Sequence, residues 1–489
     1  MSLPGNDRFP MTGPDFLIGR ETLDKMHEAA VTMIERTGIS IEHVGVREAI
    51  AGRTGFTLAD GRVRIARARV EAYVAEMREQ AGAGEASAGD AKRIAQAAPI
   101  RDPERPLTLG VDTRASYIVN RDGKTLRPMT RRDVVDSAKL VTMLGDRGVH
   151  GSTTGLPMDV PQALIPLEQF MISAEYSRGG GETNDVTDIP TSEAIREMNR
   201  VYGRGFGRSV WTPSPMILGG GELDILWHFR DSVESVFVGS MPIMGVTGPC
   251  DPIGVFTLGV AECLGGAVIL KELLPKAWVM IGPHPEPADM ASGVMVFGTP
   301  EWEILDLMHR DVHGYYGFRW DGKMIHTTAA VPGPQAAADH AGSMMLGVSY
   351  GYTSFSPGGM LALDEVYSPA QLVIDADILA HTGRILRGAW SGEGLELAGL
   401  PALVDEAVKD GEAFAAHETT VANMRIQYHA PKVLKRRNRV QWEAAGRPDE
   451  VATAQAEADR LIKSFDYVPP AAILRELRAI YERAKARMG

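Results

Sequence analysis

From residue 116 onward, short runs rich in β-branched and aromatic residues alternate with longer stretches whose apolar positions recur at helical spacing. The runs are "SYIVNR", "VHGSTTGL", "GGGETNDV", "RSVWTPSPM", "ESVFVGSMPIM", "AWVMIGPHP", "KMIHTTAA" and "YTSFSPGG". Each precedes a helical stretch such as "TRRDVVDSAKLVTMLGD" or "GVFTLGVAECLGGAVILKELL". Eight strand-then-helix units in succession predict an α/β protein built as a closed parallel (β/α)8 TIM barrel. Residues 1–100 read as an N-terminal helical accessory region containing one extended piece, "RVRIA". Residues 101–390 are the expected barrel domain, and residues 391–489 a C-terminal helical extension packed on it or across a subunit interface.

Charge and cysteine content narrow the class. The net charge of −12 lacks the basic excess that a nucleic-acid surface needs, so no nucleic-acid partner is expected. The most basic run, "KVLKRRNRV" at 432–440, reads either as a solvated or intersubunit face or as a docking patch for an acidic partner. Two cysteines, Cys250 and Cys263, exclude a disulfide framework and fit a cytoplasmic location. The N-terminus has no basic region leading into an apolar core. The apolar stretch 255–274 contains Glu262, Lys271 and several glycines, which favours a buried helix over a membrane span, so no membrane partner is expected.

In a barrel the reacting groups gather at the C-terminal ends of the strands. Those ends carry Ser152, Thr153, Thr154, Glu182, Thr183, Asn184, Trp211, Thr212, Ser214, Met244, Thr247, His284, His326, Thr327, Thr328, Ser354, Phe355 and Ser356. The set is short of charge, with one carboxylate and two histidines. Metal chemistry finds little support. In "HRDVH", His309 and His313 share a helix face but lack the glutamate of the zinc-protease pattern, and they read as a surface or packing pair. "GVTGPCDP" lacks the lysine of a phosphate loop. It is either a structural turn before a helix or a pocket wall with Met244 and Thr247 facing in. Aromatic density is the stronger signal: "HGYYGFRWDGK" holds Tyr315, Tyr316, Phe318 and Trp320, and Trp211 and Phe355 stand at other strand ends. Such rings either pack the core or form a cage for a quaternary ammonium group.

Six segments together carry a family resemblance. They are "VRIARARVEAYV", "PIMGVTGPCDPIGVFTLGVAECLGGAVIL", "GTPEWEILDLMHRDVHGYYG", "HTTAAVPGPQAAADHAGSMMLGVSYGYT", "QLVIDADIL" and "FAAHETTVANMR". In this order they resemble the trimethylamine methyltransferase (MttB-like) family of corrinoid-dependent methyltransferases across nearly the whole chain. The resemblance implies a barrel that binds a methylated amine at the strand C-termini and passes a methyl group to a corrinoid held by a separate protein. The implied cofactor is therefore a corrinoid (methylcobalamin) on a partner corrinoid protein, with no metal bound directly. The best-known relatives carry pyrrolysine in the segment resembling "TTAAVPGPQA"; here Ala329 stands at about that position, followed by Gly333 and Pro334 before Gln335. The chain thus resembles the branch without pyrrolysine that includes glycine betaine methyltransferases.

From the predicted strand ends, Trp211, Phe318, Trp320 and Phe355 supply part of a cation cage, and Arg319, His326 or nearby backbone donors receive a substrate carboxylate where one is present. Asn184 and Thr327 orient the substrate by hydrogen bonds, and no residue is assigned a catalytic proton transfer. The expected reaction takes a methyl group from a small quaternary amine to cob(I)alamin, in a homo-oligomer. The alternatives are a methyltransferase acting on another donor, such as a sulfonium compound, and a non-catalytic sensor of a methylated osmolyte.

Overall fold

A computed structural model describes residues 17–83, 106–183, 186, 188–318, 322–387, 397–411 and 414–488. Seven parallel strands carry the site: β1 (Thr108–Gly110), β2 (Val149–His150), β3 (Gly207–Thr212), β4 (Ser235–Ser240), β5 (Trp278–Pro283), β6 (Gly322–Met324) and β7 (Ser354–Ser356). They form two parallel arcs, one in the order β6-β7-β1-β2 and the other β3-β4-β5. This is the winding order of the expected cylinder, but among the described residues hydrogen bonds do not close it. The third expected strand, 179–186, includes residues 184 and 185, which lie outside the described residues.

One strand assignment is corrected. "SYIVNR" is not the first barrel strand, because β1 precedes it at 108–110. Its Tyr117–Val119 segment instead forms a hairpin with Leu126–Pro128 and pairs in parallel with Val366–Tyr367. The turn explains this: the Asp122 carboxylate accepts the backbone N–H groups of Lys124 and Thr125, and Gly123 takes the left-handed conformation at φ 71°. That local chemistry folds the run back on itself.

Eight helices follow the eight expected strand positions: Arg131–Met143, Ile165–Tyr176, Ile189–Val201, Gly221–His228, Pro252–Leu273, Pro300–Tyr315, Pro334–Ser349 and Pro369–Leu386. Thr130, Asp188, Asp251, Thr299 and Ser368 cap five of them, each accepting a backbone N–H three residues on. Four of these caps are followed by Pro in the first turn, where its missing N–H is no loss.

Side chains along the β3-β4-β5 arc alternate between two faces. Val210, Val236, Val238, Val279 and Ile281 are buried and join the core that includes helix Pro252–Leu273. Ser209, Trp211, Phe237, Gly239, Met280 and Gly282 share the opposite face. Helix Pro252–Leu273 is long and apolar enough to cross a membrane, yet 89% of its most apolar window is buried inside the fold, as a core helix requires. Gly265 lets it approach closely: a Cβ there would lie 2.6 Å from Ile39 Cδ1. Its buried Glu262 accepts hydrogen bonds from Ser214 Oγ and the Met216 N–H, both at 2.8 Å, and from Ser240 Oγ, tying the β3 exit to the end of β4.

The N-terminal segment is more mixed than expected. Its helices Arg20–Arg36, Val44–Ile50 and Arg67–Ala83 surround an antiparallel sheet of Ile39–Ile41, Phe56–Ala59 and Arg62–Ile65. Ile39–Ile41 also pairs in parallel with Ile217–Leu218 just beyond β3. At the other end, Glu450–Lys463 packs on Pro369–Leu386 and Arg131–Met143, and Ala471–Met488 packs on Ile165–Tyr176 and Ile189–Val201.

Candidate active site

A cavity of about 460 Å³ opens at the C-terminal ends of the strands. Trp211 of β3 and Phe237 of β4 form its aromatic wall, with ring centroids 5.7 Å apart at 62°. Two glycines make room for them. A Cβ on Gly239 would lie 2.6 Å from the Trp211 ring, and one on Gly282 would lie 2.2 Å from Phe237. Trp302 and Phe297 add further aromatic lining, and His326 stacks on Phe297 at 4.3 Å between centroids.

The expectation of a pocket short of charge is overturned. The described lining includes Asp112, Glu182, Glu286, Asp306, Asp364 and Glu365, against the single cation Arg114. Most of these carboxylates lie in loops beyond the strand ends, which the strand-by-strand reading passed over. Asp306 comes from helix Pro300–Tyr315, which connects β5 to β6, and brings Trp302 and His309 with it to the cavity.

These charges differ in how they are balanced. Fully buried Lys323 lies 2.7 Å from both Asp306 and Glu303, with its ammonium 4.5 Å from the centre of the Trp302 ring. Burial pushes the Asp306 carboxyl up, but Lys323 beside it prevails and holds it at about 2. Asp364 lies 2.9 Å from His326 Nδ1, and Glu182 accepts a 2.7 Å hydrogen bond from Ser152 Oγ. Asp112 is raised by burial, with Arg114 at 3.6 Å opposing the rise.

Glu286 is different. Burial, followed by the nearby charges of Asp306 and Asp364, pushes its carboxyl well above the ordinary glutamate range, against a hydrogen bond from Trp302. Its Oε2 is buried with no hydrogen-bond partner. A carboxylate oxygen held this way is costly to ionise unless a positive group enters the cavity.

Three histidines meet beside these acids. The His284 ring centroid lies 4.5 Å from that of His309 and 6.3 Å from that of His313. Burial and the two neighbouring rings hold His284 well below the ordinary histidine range, and burial with His309 pushes His313 down to about 3. Both histidines of "HRDVH" are buried, so the surface reading of that pair is replaced by packing.

Of the residues singled out from sequence, Trp211 and His326 line the cavity together, with Glu182, His284 and Ser356 from the same set of strand ends. Phe355 is fully buried, because the alternation of β7 turns Ser356 toward the cavity and Phe355 against Gly347 of the preceding helix, Pro334–Ser349. Phe318 is buried in the core that contains helix Pro252–Leu273. Thr327 donates to Asp339 at 2.6 Å and accepts from the Ala329 N–H at 3.0 Å, which shapes the loop before Pro334–Ser349. Met244 is half-buried against the core, and the Thr247 hydroxyl accepts the Ile243 N–H at 2.8 Å. "GVTGPCDP" is thus the turn that ends at the Asp251 cap, and Met241 ahead of it reaches the cavity. Asn184, Arg319 and Trp320 lie outside the described residues.

Comparison with known proteins places the chain in a family. It is 28% identical over 249 residues to trimethylamine methyltransferase MttB2 of Methanosarcina mazei, covering 50% of this chain and 49% of that protein. It is 22% identical over 479 residues to the glycine betaine methyltransferase of Desulfitobacterium hafniense, covering 93% of each. The chain therefore matches about half the length of the first relative and nearly all of the second. The crystal structure of the Methanosarcina barkeri monomethylamine methyltransferase (MtmB) aligns with a TM-score of 0.44 at 12% identity, over 98% of this chain and 89% of that one. Residues 12–489 match the family described as trimethylamine methyltransferase (MTTB), and the chain belongs to that family of methyltransferases.

Proposed function

We propose that this protein transfers a methyl group from a small quaternary ammonium compound of the glycine betaine type to a corrinoid carried by a separate protein. The observation that supports this most is the unpartnered, buried carboxylate oxygen of Glu286 in a cavity walled by Trp211, Phe237 and Trp302. A quaternary ammonium group offers no hydrogen bond, but it supplies the positive charge that Glu286 lacks. Its methyl groups also lie favourably against aromatic faces. Arg114, at the same cavity, is placed to receive the carboxylate of a betaine. Nearly full-length similarity to a glycine betaine methyltransferase supports the same reading.

The chemistry asks little of this chain beyond binding and orientation. A volume of about 460 Å³ suits a small solute, and the much larger corrinoid is presented from outside. On its own protein, the reduced corrinoid supplies the nucleophile. The substrate nitrogen already carries its positive charge, so a neutral tertiary amine leaves without a proton from the enzyme. The cavity holds the cation, keeps water from the reacting methyl group and fixes its direction.

A calorimetric titration tests the binding half of this reading. Glycine betaine should bind, and its carbon isostere, with a quaternary carbon in place of the nitrogen, should not. Equal binding of the two would contradict an electrostatic site. Trp211→Ala should raise KM by about 2- to 30-fold with a smaller change in kcat, the range expected for one desolvated cation–π contact. Trp211→Phe should recover most of that loss, and an unchanged KM in the alanine variant would remove Trp211 from the site.

A further inference from the structure

The two faces of the cavity come from parts of the chain that strand pairing does not join. Trp211 and Phe237 stand on the β3-β4-β5 arc, whereas Trp302, Asp306 and His309 stand on helix Pro300–Tyr315, which leads from β5 to β6. Among the described residues no ladder hydrogen bonds connect β5 to β6, so this helix spans an open seam of the cylinder. Lys323 ties it to β6, on the far side of the seam. On the near side Leu305, Met308 and Val312 bury its apolar face in the core, but such contacts are non-directional and leave its position along its own axis to polar contacts.

The N-terminal region supplies those contacts, and it grips both faces. Near the end of the helix, the buried Asp311 carboxylate accepts the backbone N–H groups of Leu17 and Ile18 at 2.6 and 2.9 Å. Farther along, the Arg20 and Arg78 guanidinium groups lie over the Tyr315 ring, 4.6 and 4.8 Å from its centre. The Tyr315 hydroxyl donates to Asp24 at 2.9 Å, and Arg78 Nη2 donates to the Tyr315 carbonyl at 2.9 Å. On the aromatic side, Ile39–Ile41 pairs with Ile217–Leu218 beyond β3, and Arg62 Nη2 donates to the Met216 carbonyl at 2.8 Å. The Tyr73 hydroxyl donates to the Val279 carbonyl of β5 at 2.9 Å. The gripping residues are one packed unit: Ile18, Met26, Ile39, Val63 and Tyr73 share a core with Val210, Val279 and Met308.

We infer that the N-terminal region belongs to the binding machinery: it clamps the acid-bearing helix to the aromatic wall and so sets the width of the cavity, with Asp311 as the positioning residue. Asp311 does not line the cavity and acts through Trp302 and Asp306, which stand earlier on the same helix. A buried carboxylate that accepts two backbone N–H groups is a strong fixed point. The helix carries a shift at that point back to Trp302, which donates a hydrogen bond to Glu286. An ammonium group then meets the aromatic wall and Glu286 at one set spacing. This inference rests on the proposed function only in the methyl donor that tests it.

Kinetics and fluorine NMR on the full chain test it together. Asp311→Ala should raise KM for glycine betaine by about 10- to 100-fold with a smaller change in kcat, the scale expected when a distant change displaces binding groups by about 1 Å. Asp311→Asn keeps one oxygen to accept both N–H groups and should recover most of that loss. Arg78→Ala, an exposed change on the N-terminal side, should raise KM by about 2- to 5-fold. With 5-fluorotryptophan incorporated, the Trp302 resonance, assigned by its loss in Trp302→Phe, should shift in Asp311→Ala and return toward the parent position in Asp311→Asn, with no substrate present. An Asp311 that only stabilises the fold would lower the active fraction, and so kcat, while KM and the Trp302 resonance of the folded protein stay unchanged. Either unchanged reading in the folded variants would overturn the inference. Should Asp311→Ala misfold, Arg78→Ala decides. Should the parent turn over no quaternary amine, the resonance decides, so failure of the clamp and failure of the proposed function are read separately.

Discussion

Glu286→Gln is expected to lower kcat/KM for methyl transfer from glycine betaine by roughly 30-fold to several thousand-fold. Removing one partner of a buried charge pair costs about 2–5 kcal/mol. Gln keeps the size of the side chain and a carbonyl to accept from Trp302, but it removes the charge that faces the cavity. The loss should fall mainly in KM, because the carboxylate meets the cation before any methyl moves. The pH dependence follows from the same group. In the free protein burial raises the Glu286 carboxyl well above the ordinary glutamate range, so its anion accumulates only as pH rises through that elevated value. Activity with a permanently charged substrate should rise over that interval, with a proton released on binding, and in Glu286→Gln this rise should disappear. A variant within about threefold of the parent would show that Glu286 does not meet the substrate.

Lys323→Met is expected to destabilise the folded protein by about 3–5 kcal/mol, because it leaves Asp306 and Glu303 in the interior without the cation between them. Denaturant unfolding monitored by tryptophan fluorescence measures this. The pair also has an acid signature. The Asp306 carboxyl stands at about 2 in the folded protein against an ordinary 3.8. Its contribution is therefore fully present above the ordinary value and is lost as pH falls toward about 2. Lys323→Met should remove that acid-range loss together with the stability itself. A change below about 1 kcal/mol would mean that the surrounding structure relaxes around the two acids, and Lys323 would no longer serve as the support that fixes Asp306 and Trp302 at the cavity.

The alternation of short and long apolar patterns was enough to place six of the eight expected strands and a helix after every expected strand position, because strand and helix periods differ and the capping residues are local. It missed β1, whose "TLG" is too short to carry a pattern, and chose "SYIVNR", whose composition suits a strand equally well in a hairpin. The site was less legible. Trp211 could be found because it ends a strand. Phe355 could not be separated from it, since a shift of one residue in register turns a ring from the cavity to the core. Glu286, Asp112 and Asp364 lie in loops beyond the strand ends, where neither period applies. Trp302, Asp306, His309 and His313 did leave a trace. They fall three or four residues apart in "PEWEILDLMHRDVH", a polar and aromatic stripe along one helix. Polar residues buried along one helix face need partners, and here those partners are Lys323, His284 and the cavity.

The central claim is that the cavity presents a methyl group of a quaternary amine to a corrinoid. Its most direct test is to mix the purified protein and its corrinoid partner, reduced to the cob(I)alamin state, with glycine betaine, proline betaine, carnitine, choline, dimethylsulfoniopropionate or trimethylamine, following methylcobalamin by absorbance. The account predicts methyl transfer from one of the four quaternary amines, with kcat/KM for the same compound lowered at least about 30-fold in Glu286→Gln. Transfer from trimethylamine or the sulfonium compound alone, or from none of the panel with the partner present, would contradict it.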